Sequence, residues 1–398
     1  MSEQLAKNGG KPVRDTKIYY GRQWITDEDI EAVSTVLRSD FLTCGPKIKE
    51  LETALCEYTG AGYAVAVSNG TAALHLACMA AGIGEGDEVI TTPITFAASA
   101  NCALYCGANV VFADIDPETY NIDPKSIEEK ITAKTKAVVA VDFTGQAVDV
   151  AAIRRICDEH DLVFIEDAAH SIGTSYNGKK VGSLADMTTM SFHPVKTVTA
   201  GEGGAILTNN KDYYDKLMLY RTHGITHDYE LMSESTDDPW YYEEIDLGYN
   251  YRITDFQAAL LVSQLGRIDD IIARRKAIVK MYDEAFSKIP EIIVQKEIPE
   301  SDTCRHLYII RLDLSKLTCT RREFFDAMSA ENVQCQVHYI PVYWFPVYQK
   351  LGHKKGECPN AEAVYESIMS IPLYPKLSDS DVEDVIHAVT KIVDHYRK

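Results

Sequence analysis

Leu162-Val163-Phe164-Ile165-Glu166-Asp167-Ala168-Ala169-His170 is the stretch whose reading decides the fold. It opens on an unbroken apolar run, the pattern of a strand buried on both faces, and closes on two carboxylates and an imidazole. Working outward, similar short β-branched runs recur at Ala64–Val67, Glu88–Thr92, Val110–Ile115, Ala137–Asp142, Thr188–Phe192 and Ala205–Thr208. Helical patterns fit between them, such as Asp149–His160 with Asp149 as N-cap. Alternation of this kind predicts an α/β fold with a mostly parallel sheet covered on both faces. Asp167 then stands at the carboxyl end of a buried strand, where such sheets bind ligands.

Other segments of this domain carry chemistry. Ser68-Asn69-Gly70-Thr71-Ala72-Ala73-Leu74 follows a strand and opens a helix. Gly70 lets the backbone approach a ligand, and free N–H groups at a helix start favour a phosphate; the bland alternative is an ordinary turn capped near Thr71. Ser191-Phe192-His193-Pro194-Val195-Lys196 leaves a strand and is followed by Gly201-Glu202-Gly203-Gly204. A lysine placed by a rigid strand suits a Schiff base once its pKa falls from about 10.4, although most lysines in loops are merely solvated. Asp167 alone could be a helix cap; beside a pyridinium nitrogen it would keep that ring protonated. Phosphate turn, strand-end Asp and post-strand Lys, in that order, form the arrangement that a pyridoxal-phosphate enzyme of the aspartate-aminotransferase fold (fold type I) requires.

The rest of the chain bounds the reading. Thr254-Asp255-Phe256-Gln257 reads as a capping box opening one long helix with an apolar stripe of Leu261, Leu265, Ile268 and Ile272. We expect a large domain over 18–266, a smaller C-terminal α/β domain over 267–398 with strands at His306–Asp313 and Val333–Tyr339, and a flexible lead-in over 1–17. Ile225–Glu244, with Asp237-Asp238-Pro239-Trp240-Tyr241-Tyr242, has no clear period and reads as an exposed excursion. The net charge of −19 opposes nucleic acid or an anionic membrane as partner. No apolar run has the length of a membrane span, and the polar N-terminus carries no secretion signal. Ten cysteines without a Cys-x-x-Cys pair, and eleven histidines without ligand spacing to them, point to a reducing cytoplasm and to no metal. Gly82-Ile83-Gly84-Glu85-Gly86 precedes a strand instead of following one, so a dinucleotide fingerprint fails.

Taken together, Ser68–Leu74, Thr92-Pro93-Ile94-Thr95-Phe96, Glu166–His170, Ser191–Lys196, Gly201–Gly204 and Gly248-Tyr249-Asn250-Tyr251-Arg252 resemble the DegT/DnrJ/EryC1/StrS family of sugar aminotransferases. Phe41-Leu42-Thr43-Cys44-Gly45-Pro46 and Val337-His338-Tyr339-Ile340-Pro341 resemble the branch acting on a UDP-linked 4-keto-6-deoxy-N-acetyl-altrosamine, on the route to pseudaminic acid. The resemblance implies pyridoxal 5'-phosphate held by Lys196 as a Schiff base, with Asp167 on the ring nitrogen, His170 beside it and Phe96 on the ring face. It assigns Gly70, Thr71 and Ser191 to the phosphate, and Asn250 to the phosphate of a partner subunit's cofactor in a homodimer with shared active sites. Arg252 approaches the nucleotide across the same interface, and Tyr20, Thr43, His338 and Tyr339 are substrate-pocket positions. The implied substrates are an amino-acid donor, L-glutamate, and the UDP-linked keto sugar, aminated at C4. Cys44, Ala147 and Asn69 depart from the branch where glutamine, proline and a small residue are common. Alternatives are an aminotransferase on another nucleotide-linked keto sugar, or a non-catalytic pyridoxal-phosphate-binding regulator. A sugar dehydratase of the family carries histidine where this chain has Lys196.

Overall fold

The computed structural model describes residues 3–234 and 238–398. Its centre is a seven-stranded sheet: β1 (Tyr63–Val67), β2 (Glu88–Thr91), β3 (Asn109–Phe112), β4 (Thr135–Val141), β5 (Val163–Asp167), β6 (Met187–Ser191) and β7 (Gly204–Thr208), in the order β1-β7-β6-β5-β4-β2-β3. Strands β2 to β6 run parallel, and β7 lies antiparallel between β1 and β6. Every strand expected in this part of the chain is present, shifted by a few residues at its ends. Alternate residues enter two cores: Ala64, Ala66, Val138, Phe164 and Met190 on one face, Val65, Val67, Val139, Ile165 and Met187 on the other. Both faces are therefore dry, which is why these strands read as continuous apolar runs.

The helices that matter to function are α1 (Asp27–Leu37), α2 (Gly70–Ala80), α3 (Ala98–Tyr105), α4 (Asp255–Leu265) and α5 (Ile268–Phe286). Asp149 caps its helix by accepting from the Ala152 N–H, and Thr254 N–H donates to Gln257 Oε1 at 3.2 Å. The single long helix expected after Thr254 is instead broken at Gly266-Arg267. Arg267 leaves helical geometry, and its guanidinium reaches the Trp24 carbonyl and Asp29 of α1. Asp29 also accepts from Ser263 and Gln264, so one buried carboxylate ties α1 to α4. The apolar stripe survives the break: Leu261, Leu265, Ile268 and Ile272 all face the core below β5.

The C-terminal part carries an antiparallel sheet of Ile292–Val294, Tyr308–Leu312 and Ile368–Ile371. The expected strand Val333–Tyr339 is not one. Val333 bridges Ile18 and Gln336 bridges Ser370, after which the chain turns inward and delivers His338 and Tyr339 to a cavity. Leu307, Val342, Tyr343 and Ile368 join the core of the central sheet, so the C-terminal part is packed onto it. The excursion is a ribbon in which Ile225–Thr226 pairs antiparallel with Glu243–Glu244, with Trp240 well exposed; Asp237 lies outside the described residues. All ten cysteines are free. Among the described residues no helix is long and apolar enough to cross a membrane, and no cluster of His, Cys, Asp and Glu is placed to hold a metal.

The lead-in does not hang free. Leu5 is fully buried, and the N–H groups of Ala6 and Val13 donate to the two oxygens of Glu331. Lys391 completes the site with its ammonium 3.0 Å from Glu331 and 2.8 Å from the Lys11 carbonyl. A polar segment is held because its backbone donors satisfy a carboxylate that has no solvent. Lys391→Met strands that carboxylate and is expected to destabilise the fold by ~3–5 kcal/mol in chemical denaturation, whereas Lys391→Met with Glu331→Leu loses much less.

Candidate active site

A cavity of about 950 Å³ opens at the carboxyl ends of β4, β5 and β6, where Val141, Asp167 and Thr189 lie abreast. Asp167 forms its floor. It is 4% exposed, accepts from Ser99 Oγ at 2.6 Å and from the Ala169 N–H at 3.2 Å, and has no ion-pair partner among the described residues. Burial raises its pKa; the Ser99 and Ala169 hydrogen bonds and the charge of Lys196 pull the other way. Ser99 itself is held by Thr95, one turn back along the chain. Glu166 faces the opposite side of the sheet, where it accepts from Thr188, and burial pushes its pKa up to about 7.

Lys196 lies beyond the end of β6 on a loop whose ends are zipped together. The Phe192 N–H donates to the Gly203 carbonyl and the Ala200 N–H to the Phe192 carbonyl, so residues 193–199 project as a closed bulge. The Lys196 side chain enters the cavity, where burial lowers its pKa to about 8 against the opposing pull of Asp167. At neutral pH a useful fraction of this amine is therefore unprotonated, as a nucleophile or base needs.

The other end of the cavity is the start of α2. Asn69 is its N-cap, accepting from the Ala72 N–H at 2.8 Å, so the residue that departs from the family pattern does structural work. Helix geometry leaves the N–H groups of Gly70 and Thr71 without intrahelical acceptors at the cavity wall. The backbone is close-packed here. A Cβ on Gly70 would lie 2.8 Å from Ser191 Cβ, and one on Gly204 would lie 2.4 Å from the Asn69 carbonyl oxygen. Gly70, Thr71 and Ser191 thus make a cradle for an anion. Between floor and cradle, Phe96 is 63% exposed, an aromatic face left open to the cavity.

His170, Tyr20, His338 and Tyr339 close the remaining wall. Tyr339 Oη lies 3.3 Å from His170 Nε2, and Ser370 Oγ 2.8 Å from His338 Nδ1. Burial, then the field of Lys196, holds both imidazoles neutral: His170 falls well below the usual range and His338 to about 4. Burial also keeps the Tyr20 and Tyr339 phenols protonated. Ten residues singled out from sequence therefore share one cavity: Lys196, Asp167, Gly70, Thr71, Phe96, His170, Ser191, Tyr20, His338 and Tyr339.

Thr43, Asn250 and Arg252 are not among its lining residues. Thr43 bridges Thr254, the residue before α4, and Asn250 bridges Thr222. Thr43 and Asn250 are exposed. Ser99 and His306 line the cavity and were not foreseen. Ser99 sits on a helix of small residues four positions after Thr95, the one local hint of its role.

Residues 23–390 match the model of the DegT/DnrJ/EryC1/StrS aminotransferase family. The spore coat polysaccharide biosynthesis protein SpsC of Bacillus subtilis is 42% identical over 94% of this chain and 96% of its own. A UDP-4-amino-4,6-dideoxy-N-acetyl-beta-L-altrosamine transaminase of Campylobacter jejuni is 38% identical over 96% of this chain and 99% of its own. Among solved structures, Helicobacter pylori PseC, an aminotransferase of pseudaminic acid biosynthesis, superposes with a TM-score of 0.89 at 32% identity, covering 96% of this chain and all of that one. The PLP-form of a sugar aminotransferase, Spr1654, from Streptococcus pneumoniae gives 0.88 at 30% identity over 95% of this chain and 99% of its own. The expected aspartate-aminotransferase-like architecture is borne out.

The depressed pKa of Lys196 is checked by competitive acylation followed by mass spectrometry. Its reactivity is expected to climb with a midpoint near pH 8, while exposed lysines titrate at about 10.4. A midpoint near that of the surface amines would show that the cavity does not desolvate it.

Proposed function

The chain belongs to the DegT/DnrJ/EryC1/StrS aminotransferase family, and from that membership we propose that it binds pyridoxal 5'-phosphate in this cavity and transfers an amino group from L-glutamate to C4 of a UDP-linked 4-keto-6-deoxy-N-acetyl-hexosamine. One observation carries the reading. A buried carboxylate with no cationic partner, an amine of lowered pKa and an anion cradle line a single cavity. A phosphorylated pyridinium aldehyde fits all three at once. When bound, the cofactor supplies the electron sink that makes the α-hydrogen of an amino acid acidic.

The residues divide the remaining work. Asp167 keeps a proton on the ring nitrogen, and Ser99 holds the carboxylate in place for it. Gly70, Thr71 and Ser191 grip the phosphate, and Phe96 covers one face of the ring. Lys196 Nζ would hold the aldehyde end of the cofactor, and as a free amine of lowered pKa it would take up and return the proton of the donor's α-carbon. His170, with Tyr339, would border the cofactor, and Tyr20 and His338 would bound the space left for the sugar. Asn250, Arg252 and Thr43 are read as completing the site of a second copy. Their surroundings support this: Phe41, Leu42 and Leu247 are 55%, 48% and 69% exposed, an apolar border of the sort an interface covers. The unpaired thiols suit a reducing cytoplasm.

Two experiments test the reading. Protein mixed with pyridoxal 5'-phosphate is expected to gain a near-visible band that L-glutamate shifts into the ultraviolet. Lys196→Ala should lose the response, and no band in the unaltered protein overturns the assignment. The shared site is tested by co-expressing Lys196→Ala with Asn250→Ala. Each homodimer is expected to be impaired, while the mixed dimer regains about half the activity, because one of its sites has both groups. Absence of any recovery would place Asn250 outside the partner's site.

A further inference from the structure

His306 is 4% exposed and lines the cavity, yet nothing above gives it work. Its ring centroid lies 4.5 Å from that of His170, with the planes inclined by 41°. The Nδ1 atoms of both rings are buried and have no hydrogen-bond partner among the described residues. Two unpartnered buried nitrogens on adjacent rings are costly unless something joins them.

The backbone that presents His306 is held on every side. Its N–H donates to the Thr144 carbonyl at 2.7 Å. Its carbonyl accepts from Arg275, a guanidinium 2% exposed that has no carboxylate and instead gathers the carbonyls of Arg305, His306 and Leu373. Leu373 in turn donates its N–H to the carbonyl of Tyr20, another cavity residue. Arg305 sits at φ +47°, a left-handed conformation held by its side-chain bonds to Gln295 and Glu297. Strain and a buried cation are both concentrated on placing one imidazole, a pattern that belongs to functional positions.

We infer that His306 is a positioning residue: one ordered water shared between its Nδ1 and that of His170 fixes which nitrogen of His170 carries the proton. The polarity of the chain follows from its far end. There Tyr339 Oη lies 3.3 Å from His170 Nε2, and with the phenol as donor His170 carries its proton at Nδ1. That N–H donates to the water, the water donates to His306 Nδ1, and His306 carries its own proton at Nε2. The groups facing the two rings are Lys196, Asp167, His338, Tyr339, Arg275 and Cys304. Burial first, then the charge of Lys196 on both rings and of Arg275 on His306, keeps the two imidazoles neutral, as the relay requires.

The consequence for catalysis rests on the cofactor reading of the previous section, because His170 borders the ring proposed there. The test compares His306→Asn, His306→Gln and His306→Phe with the unaltered protein, each loaded with pyridoxal 5'-phosphate. An Asn amide places a polar atom near the position of Nδ1; Gln reaches only the position of Nε2. His306→Phe and His306→Gln are expected to slow the single turnover with L-glutamate about ten- to a hundredfold, the scale of one buried group left unsatisfied. They should also move the pH midpoint of the absorption band, with cofactor affinity nearly unchanged, and His306→Asn should restore both. If Phe matches the unaltered protein, or if Gln rescues and Asn does not, the inference is wrong. Should Phe fail to fold, the Asn and Gln pair still decides. Nitrogen-15 shifts of His170 in cofactor-free protein read the tautomer independently. A protein that forms no band refutes the cofactor reading, while these shifts still decide the role of His306.

Discussion

A carboxylate taken out of water must find a cation, a set of donors or a proton. Asp167 is such a group, and much of the domain is arranged around it. The parallel register places it beside Val141 and Thr189, at the edge of the sheet where the cavity opens. Ser99 and the Ala169 amide satisfy part of its demand and stop short of neutralising it. Lys196 is near enough to feel its charge and too desolvated to be held fully protonated. The site is therefore poised on a shortfall of positive charge, which a protonated heteroaromatic ring makes good. Ring binding and amine reactivity then share a cause: the same burial that makes the carboxylate seek a partner lowers the pKa of the lysine.

How far the sequence revealed this depended on the range of each interaction. The strands were legible because burial on both faces is written residue by residue into β1, β4 and β5. Lys196, Asp167 and Gly70 were legible because each lies at or just beyond the end of a strand, in a setting that constrains its chemistry. Ser99 was not, since its meaning comes from Asp167, far along the chain, and its neighbours are plain alanines. His306 was hidden at the start of a strand, where a core histidine is the ordinary expectation. The break before α5 was masked by an apolar stripe that runs straight through it; only the reach of Arg267 to Asp29 explains the turn. The lead-in misled through its composition, because polar residues can be held by their backbone donors as firmly as by buried side chains.

Three foreseen positions, Thr43, Asn250 and Arg252, fall outside the cavity, and this is informative in itself. Thr43 directly follows exposed Phe41 and Leu42, and Asn250 and Arg252 follow exposed Leu247 by a few residues. The cavity wall that the chain itself supplies is made of neutral histidines and tyrosines, which can hydrogen-bond a carbohydrate.

The placement of β7 between β1 and β6 has a consequence for how the protein comes to exist. Gly70 follows β1 and Ser191 ends β6, so the two halves of the anion cradle meet only after Tyr63–Val67 has paired with Gly204–Thr208 across a long loop of intervening chain. Closure of that kind is entropically slow and falls late in assembly. A nascent chain released before residue 208 holds Gly70 and Asp167 but cannot seat β1 against its neighbour. The two sides of the anion cradle are therefore brought together only in a sheet whose first and last strands in the chain have paired.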